Sequence, residues 1–260
     1  MSDPFYHDPA LYDAMYADLT ADIPLFVDMA KAAGGPVLEV CCGNGRLLVP
    51  AARAGIDIDG LDLSPEMLAG LRAKLAAAGV RAGVHEGDMA DFALPRRYAL
   101  VFVAFNSFLH NLTQAEQIAT LRCCRAHLAP GGRLALGLFH PSAQHLLEWA
   151  AGEKVVKDIP NAIGPGRVRV IDRTVDERVE QVRRVTRRVE FLDDAGAIVR
   201  TATLPFSIRY VFKPEMELLL RAAGFGRWCA QPLDRVEGAC VAAGRPPQEG
   251  DMLLWTAWDD

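Results

Sequence analysis

An α/β fold is predicted: a Rossmann-like, mostly parallel sheet with helices on both faces, plus a small antiparallel β insertion. Three observations lead there. Short apolar runs alternate with helical patterns from residue 36 to about 140. A strand runs through a turn carrying Gly43 and Gly45 directly into a helix. From about 141 to 212 the alternation stops and a valine-, threonine- and arginine-rich stretch takes over. Strands alternating with helices at such spacing imply a parallel sheet covered on both sides.

Taken in order, the chain divides into four expected parts. Residues 1–34 read as a helical arm, with Tyr6, Tyr12 and Tyr16 followed by Leu25, Phe26 and Met29 at helical spacing, closed by Gly34-Gly35-Pro36. Residues 35–140 form the α/β core. PVLEV is a buried strand, RLLVPAARAG a helix and IDIDGLDL the second strand. SPEMLAGLRAKLAAAG is a helix with Ser64 as N-cap, Pro65 at its first position and Gly79 closing it. After RAGVHEGD come ALVFVAF as the fourth strand, a helix from Gln114 to Leu128 stopped by Pro130-Gly131-Gly132, and RLALGLF as the fifth strand. Residues 141–212 are expected to be an inserted β lobe, a lid or a dimer contact. Valines 179, 182, 185 and 189 also fit a helix, but β-branched content and an Asp193–Gly196 turn favour antiparallel strands. Residues 213–260 complete the core through PEMELLLRAAGF as a helix and DMLLWTAW as a strand.

Composition limits the function classes. The 260 residues are 51% apolar and 23% charged, enough for a full core. The net charge of −5 argues against a general nucleic-acid binder. Apolar runs fall far short of a membrane span, and MSDPFYHDPALYD has acids and a proline where a signal peptide needs a basic end. A cytoplasmic protein is expected. Six cysteines, Cys41-Cys42, Cys123-Cys124, Cys229 and Cys240, show no C-x-x-C spacing, so buried free thiols are expected and no metal.

The chemistry should sit at the carboxyl edge of the sheet, where ligands bind in open α/β folds. Glycines in the VLEVCCGNGR turn let the backbone pass close to a ligand. Asp62 closes the second strand, 23 residues after Glu39, the distance at which an acid accepts hydrogen bonds from ribose hydroxyls. Asp88, in HEGDM, is placed to accept from an adenine amino group, with Met89 offering an amide and an apolar face. A solvated loop acid is the plainer alternative for Asp88. The dinucleotide fingerprint is absent, because its third glycine is replaced by Leu48, and a carboxylate such as Glu39 would repel a diphosphate.

In this order and spacing, LEVCCGNGR, GLDLS, EGDM and LAPGGRL resemble the motifs of class I S-adenosylmethionine-dependent methyltransferases, over about residues 36 to 140. The resemblance implies S-adenosylmethionine as methyl donor. Glu39 and the turn from Cys41 through Gly43 to Gly45 would cradle its methionine end, and Asp62 its ribose. Leu63 and Met89 would sandwich the adenine, and Asp88 would take its amino group. Cys41 stands where the family usually has glycine. The tyrosine arm and the strand insertion resemble small-molecule N-methyltransferases of amino-sugar and peptide pathways. By that resemblance Tyr12 and Tyr16 cover the donor or line the acceptor pocket; simple packing of the arm is the alternative.

AFNSFLHN puts Phe105, Asn106, Ser107 and His110 at the mouth of the sheet, and LGLFHPS puts His140 there. Imidazole has the pKa of a general base near neutrality, so His110 and His140 are candidate bases and Asn106 an orienting group. The expected function is methyl transfer to a small-molecule acceptor, at an amine nitrogen. The alternatives are O-methylation with a histidine base and a non-catalytic donor-binding partner. The arginines between 167 and 188 are expected to lie on a solvated strand face with local ion pairs; the alternative is that one or two meet an anionic acceptor by bidentate pairing.

Overall fold

The computed structural model describes residues 6–149, 152–236, 239–242 and 244–259. The first five residues of the arm and the side chain of Cys240 lie outside the described residues. The arm is two helices, α1 (Pro9–Tyr16) and α2 (Ile23–Ala33), separated by turns. Asp8 caps α1 by accepting from Leu11 N at 2.9 Å, and Gly34 ends α2 in a left-handed conformation (φ +65°).

The core opens with β1 (Val37–Val40), α3 (Leu48–Arg53), β2 (Ile58–Asp62), α4 (Pro65–Ala78) and β3 (Gly83–Glu86). It continues with β4 (Tyr98–Val103), α5 (Gln114–Ala126) and β5 (Leu128–Phe139). After α6 (Ala143–Trp149) come β6 (Glu153–Pro160), β7 (Arg167–Glu177), β8 (Val182–Leu192) and β9 (Ile198–Arg209). The chain closes with α7 (Lys213–Ala223), β10 (Arg227–Val236), β11 (Ala239–Ala242) and β12 (Met252–Trp258). The main sheet has the order β11-β10-β12-β5-β4-β1-β2-β3, and β6 to β9 form a second, four-stranded sheet in sequence order. β1 to β5 pair in parallel, whereas β12, β10 and β11 add antiparallel strands beyond β5. The Rossmann-like class with an antiparallel insertion is therefore the observed architecture.

Apolar composition explains the central position of β1 and β4. All four residues of β1 are buried, as are five of six in β4, the pattern of strands covered on both faces. Core residues such as Leu38, Val103, Phe108, Leu136 and Leu220 fill one side, and Phe26, Leu48, Leu71 and Phe102 the other. Ser64 caps α4 by accepting from Met67 N at 3.1 Å, and Thr113 with Glu116 forms a capping box on α5. α5 ends earlier than the expected Leu128. His127 sits at its C-cap, accepts from Leu94 N at 2.9 Å and meets Cys123 O at 2.7 Å. Pro130–Gly132 then lie inside β5, where the register with β4 shifts, instead of preceding it. Cys41, Cys42, Cys123, Cys124 and Cys229 are free thiols, and of these Cys42 and Cys124 are buried. Among the described residues, no helix is long and apolar enough to cross a membrane.

In the insertion the helical reading of Val182, Val185 and Val189 gives way to strand, because β8 pairs along its length with both β7 and β9. Val168, Val170, Val189, Phe191 and Leu204 pack against Leu11, Ala14 and Met15 of α1. The arm is thus clasped between core and lobe. Outward-pointing arginines are paired: Arg167 and Arg169 with Asp158, Arg184 with Glu177, and Arg188 with Glu153 and Glu190. Arg187 points inward. Its guanidinium grips Asp172 through two bonds of 2.7 Å, donates to Tyr16 Oη at 2.6 Å and lies over the Phe206 ring.

Removing one partner of a buried ion pair strands the other charge. Arg187→Met is accordingly expected to destabilise the fold by roughly 3–5 kcal/mol, and replacing Asp172 and Arg187 together by apolar residues to cost less. Urea unfolding measures both; a single-variant loss below about 1 kcal/mol, the scale of an exposed pair, would contradict this account of the lobe.

Candidate active site

The parallel strands end on one edge, and the turns leaving β1, β2, β3 and β4 meet there around a cavity of about 370 Å³. Glu39 is the last but one residue of β1, 4% exposed, and borders the cavity. Its carboxylate accepts from the Leu48 backbone, while Oε2 has no hydrogen-bond partner. Burial holds this carboxyl well above the ordinary carboxylate range, against the pull of nearby Arg46.

The turn after β1 is built for close approach. Cys41 and Gly43 adopt φ +60° and +53°, and a Cβ added at Gly43 would meet nothing within 4 Å, so glycine leaves open space at the cavity wall. Gly45 has a different task and does not border the cavity. At φ +89° its missing Cβ would lie 2.5 Å from Leu71 Cδ1, so glycine lets the turn pack on α4. Cys41 carries strain for a residue with a Cβ, and its thiol lies 3.5 Å from Met89 Sδ on the cavity wall.

Asp62 closes β2 and ties two turns together. It accepts from Gly43 N at 2.7 Å and from Ser64 N at 2.9 Å. Burial raises its pKa although these backbone bonds oppose the shift. Each carboxylate oxygen still has a lone pair to offer a ligand. Leu63, Asp88 and Met89 complete this side of the cavity. Asp88 is exposed and accepts from Ala90 N at 2.8 Å.

At the other end Phe105 follows β4 in a left-handed conformation (φ +52°) and borders the cavity with Tyr12. Tyr6 and His110 join them. Tyr6 Oη meets His110 Nε2 at 2.8 Å, and the histidine also bonds the Ser207 backbone of β9. Arm, core and lobe therefore contribute one group each. Burial pushes His110 down to about 4 and Tyr6 well above its ordinary value.

Three residues expected at the mouth have other places. His140 does not border the cavity: just beyond β5, its backbone pairs with Asp251 and Gly250, which turns its ring edge-on to Phe212 at 6.0 Å. Asn106, at φ +62°, uses Oδ1 to accept from Phe139 N at 2.6 Å, bracing the ends of β4 and β5. Tyr16 stands behind the wall, its ring 5.1 Å from that of Phe105.

Sequence reasoning missed Tyr6, Asn44, Arg46, Asn111, Glu116 and Ser207, all of which border the cavity. Arg46 and Asn44 belong to the glycine turn and were within reach of motif reading; Tyr6 and Ser207 arrive through tertiary folding alone. Arg46 forks onto Asp22 at 2.5 and 2.8 Å and lies over Phe105, 5.2 Å from its centroid. Among the described lining residues, Glu39, Asp62, Asp88 and Glu116 face a single guanidinium, itself paired. Such a lining disfavours a diphosphate and suits a ligand with cationic groups.

Comparisons with known proteins agree with this geometry. Residues 37–132 match a family model described as a methyltransferase domain. A Streptomyces fradiae dTDP-3-amino-3,6-dideoxy-alpha-D-glucopyranose N,N-dimethyltransferase is 37% identical over 112 residues, 43% of this chain and 42% of that protein. The chain therefore aligns with less than half the length of that relative. A cypemycin N-terminal methyltransferase from Streptomyces sp is 28% identical over 188 residues, 70% of this chain and 74% of the relative. The structure of the CcbJ methyltransferase from Streptomyces caelestis superimposes with a TM-score of 0.74 at 23% identity, covering 100% of this chain and 99% of the other. Residues 37–132 thus match a methyltransferase domain, in a chain that has the fold of solved methyltransferase structures.

Proposed function

We propose that this chain transfers a methyl group from S-adenosylmethionine to an amine nitrogen of a small-molecule acceptor. The observation that carries this reading is the unpartnered Glu39 Oε2, buried beside a cavity whose acidic lining residues outnumber its basic ones. A donor with an ammonium and a sulfonium supplies the missing positive charge, whereas a nicotinamide dinucleotide would bring phosphates against carboxylates. Similarity to sugar N,N-dimethyltransferases supports an amine acceptor.

When bound, the donor supplies a methyl group already activated by its sulfonium. The protein's task is to hold the acceptor in line with that group, an effect that can supply roughly 7–11 kcal/mol. In this reading Glu39 and the Cys41–Gly43 backbone hold the ammonium end of the donor. Asp62 accepts from the ribose hydroxyls, Leu63 and Met89 enclose the adenine, and Asp88 accepts from its amino group. Tyr6, Tyr12 and Phe105 form an aromatic wall that keeps water away, with the lobe as lid.

Amine transfer is favoured over hydroxyl transfer by the state of His110. A hydroxyl acceptor needs a base, but a ring whose pKa is pushed down to about 4 and whose Nε2 faces Tyr6 holds a proton poorly. His140, the other candidate, lies outside the cavity. His110 instead orients the Tyr6 hydroxyl as a neutral acceptor. An amine that arrives unprotonated needs no base, and its proton leaves to solvent.

Purified protein given the donor and a panel of amino sugars, peptide amines and phenols is expected to release S-adenosylhomocysteine with amines. The rate should rise with pH as the acceptor amine deprotonates, with no break near the ordinary histidine pKa of ~6.5. Turnover with phenols alone would overturn the amine assignment, and tight donor binding without turnover would identify a binding module.

Donor binding also has an expected proton balance. The Glu39 carboxyl, raised by burial in the free protein, ionises when a cation reaches it, so binding below neutrality releases a proton and tightens as pH rises. Calorimetry in buffers of different ionisation enthalpy should detect that proton, and Glu39→Gln should abolish it. Binding of unmodified protein with no proton released would contradict the role given to Glu39.

A further inference from the structure

The arm is fastened to the core at the same two turns that frame the donor end of the cavity. Asn44, between the positive-φ residues Gly43 and Gly45, is 1% exposed. Its Nδ2 donates to Pro9 O at 3.2 Å and to Asp13 Oδ1 at 2.9 Å, both on the arm. Lys74 of α4 meets the same Asp13 oxygen at 2.8 Å. At the second turn Ser64 Oγ donates to Tyr6 O at 2.7 Å. Asp62 joins the two turns by accepting from Gly43 N and Ser64 N. These bonds run in a circuit from Asp13 through Asn44, Gly43, Asp62 and Ser64 back to the arm at Tyr6.

A glycine-flanked turn has little conformational preference of its own, because glycine accepts positive and negative φ alike. What fixes this turn must therefore come from outside it, and Asp13 takes one of the two Asn44 amide hydrogens. Resting on the donor reading above, we propose that Asp13 is a positioning residue for the methyl donor. It acts through Asn44, and it makes arm docking and donor binding one coupled equilibrium. Coupling of this kind is reciprocal: a docked arm raises donor affinity, and bound donor holds the arm down by the same factor.

Titration calorimetry with S-adenosylmethionine, together with amide hydrogen exchange over residues 9–16, tests the coupling. Asp13→Ala is expected to weaken donor binding about tenfold, within the range of site-to-site couplings. Asp13→Asn, which keeps an acceptor for Asn44 and loses the charge facing Lys74, should restore affinity to within about threefold, and Lys74→Met should behave likewise. Adding Asp13→Ala to Asn44→Ala should produce no further loss, as neighbours in one pathway are non-additive. In unmodified protein the donor should slow exchange in α1, and in Asp13→Ala it should not. Unchanged affinity in Asp13→Ala, or arm exchange in unmodified protein indifferent to the donor, would overturn the proposal; the second measurement decides even if the alanine variant fails to fold. Protein that binds no donor at all would remove the functional reading as well, whereas donor binding with an indifferent arm would remove the coupling alone.

Discussion

A carboxylate oxygen buried without a partner cannot stay charged unless a cation comes to it, and Glu39 Oε2 is such an atom. Much of the rest of the site can be read as an answer to that constraint. Glu39 cannot move out to water, since β1 is buried along its length between β2 and β4. The glycine turn leaves room beside it, and Asp22 already takes up the fork of Arg46, the one guanidinium among the described lining residues. In the proposed reading, the negative excess that remains is matched by the two positive centres of S-adenosylmethionine.

The second organising feature is the placement of the arm. The arm presents apolar residues of α1 to the lobe sheet and, through Asp13 and Tyr6, hydrogen-bonding groups to the core turns, so it joins two walls of one cavity. From the lobe side Lys157 bonds Met15 O and Asp18, and Arg187 bonds Tyr16. A shift of the lobe is therefore felt at the aromatic wall through Tyr16 and Phe105, and at the acceptor end through Ser207 and His110. Angstrom-scale misplacement of that kind is what in-line transfer tolerates least.

How far the sequence could be read follows from which interactions are local. The parallel core was legible because burial on both faces writes near-continuous apolar runs, and caps such as Ser64 and Gly79 mark α4 without ambiguity. The glycine turn and the acids at successive strand ends were legible because they lie within a few residues of one another. His140 was misplaced in expectation because being next to a strand end does not say which way a side chain leaves it; the Gly250–Asp251 turn decides that, more than a hundred residues on. Tyr6 and Ser207 had no local signature, and their meeting at His110 depends on how arm and lobe close over the sheet. Val182, Val185 and Val189 have helical spacing, and only the pairing of β8 with both neighbours, which is not local, makes the segment a strand.

The most direct test of the central claim is a crystal structure of the protein grown with S-adenosylhomocysteine. The account requires the nucleoside beside Asp62, Leu63 and Met89, with the amino-acid end against Glu39 and the Gly43 turn beneath a docked α1. Electron density for the ligand elsewhere, or a crevice that stays empty at saturating ligand, would contradict it.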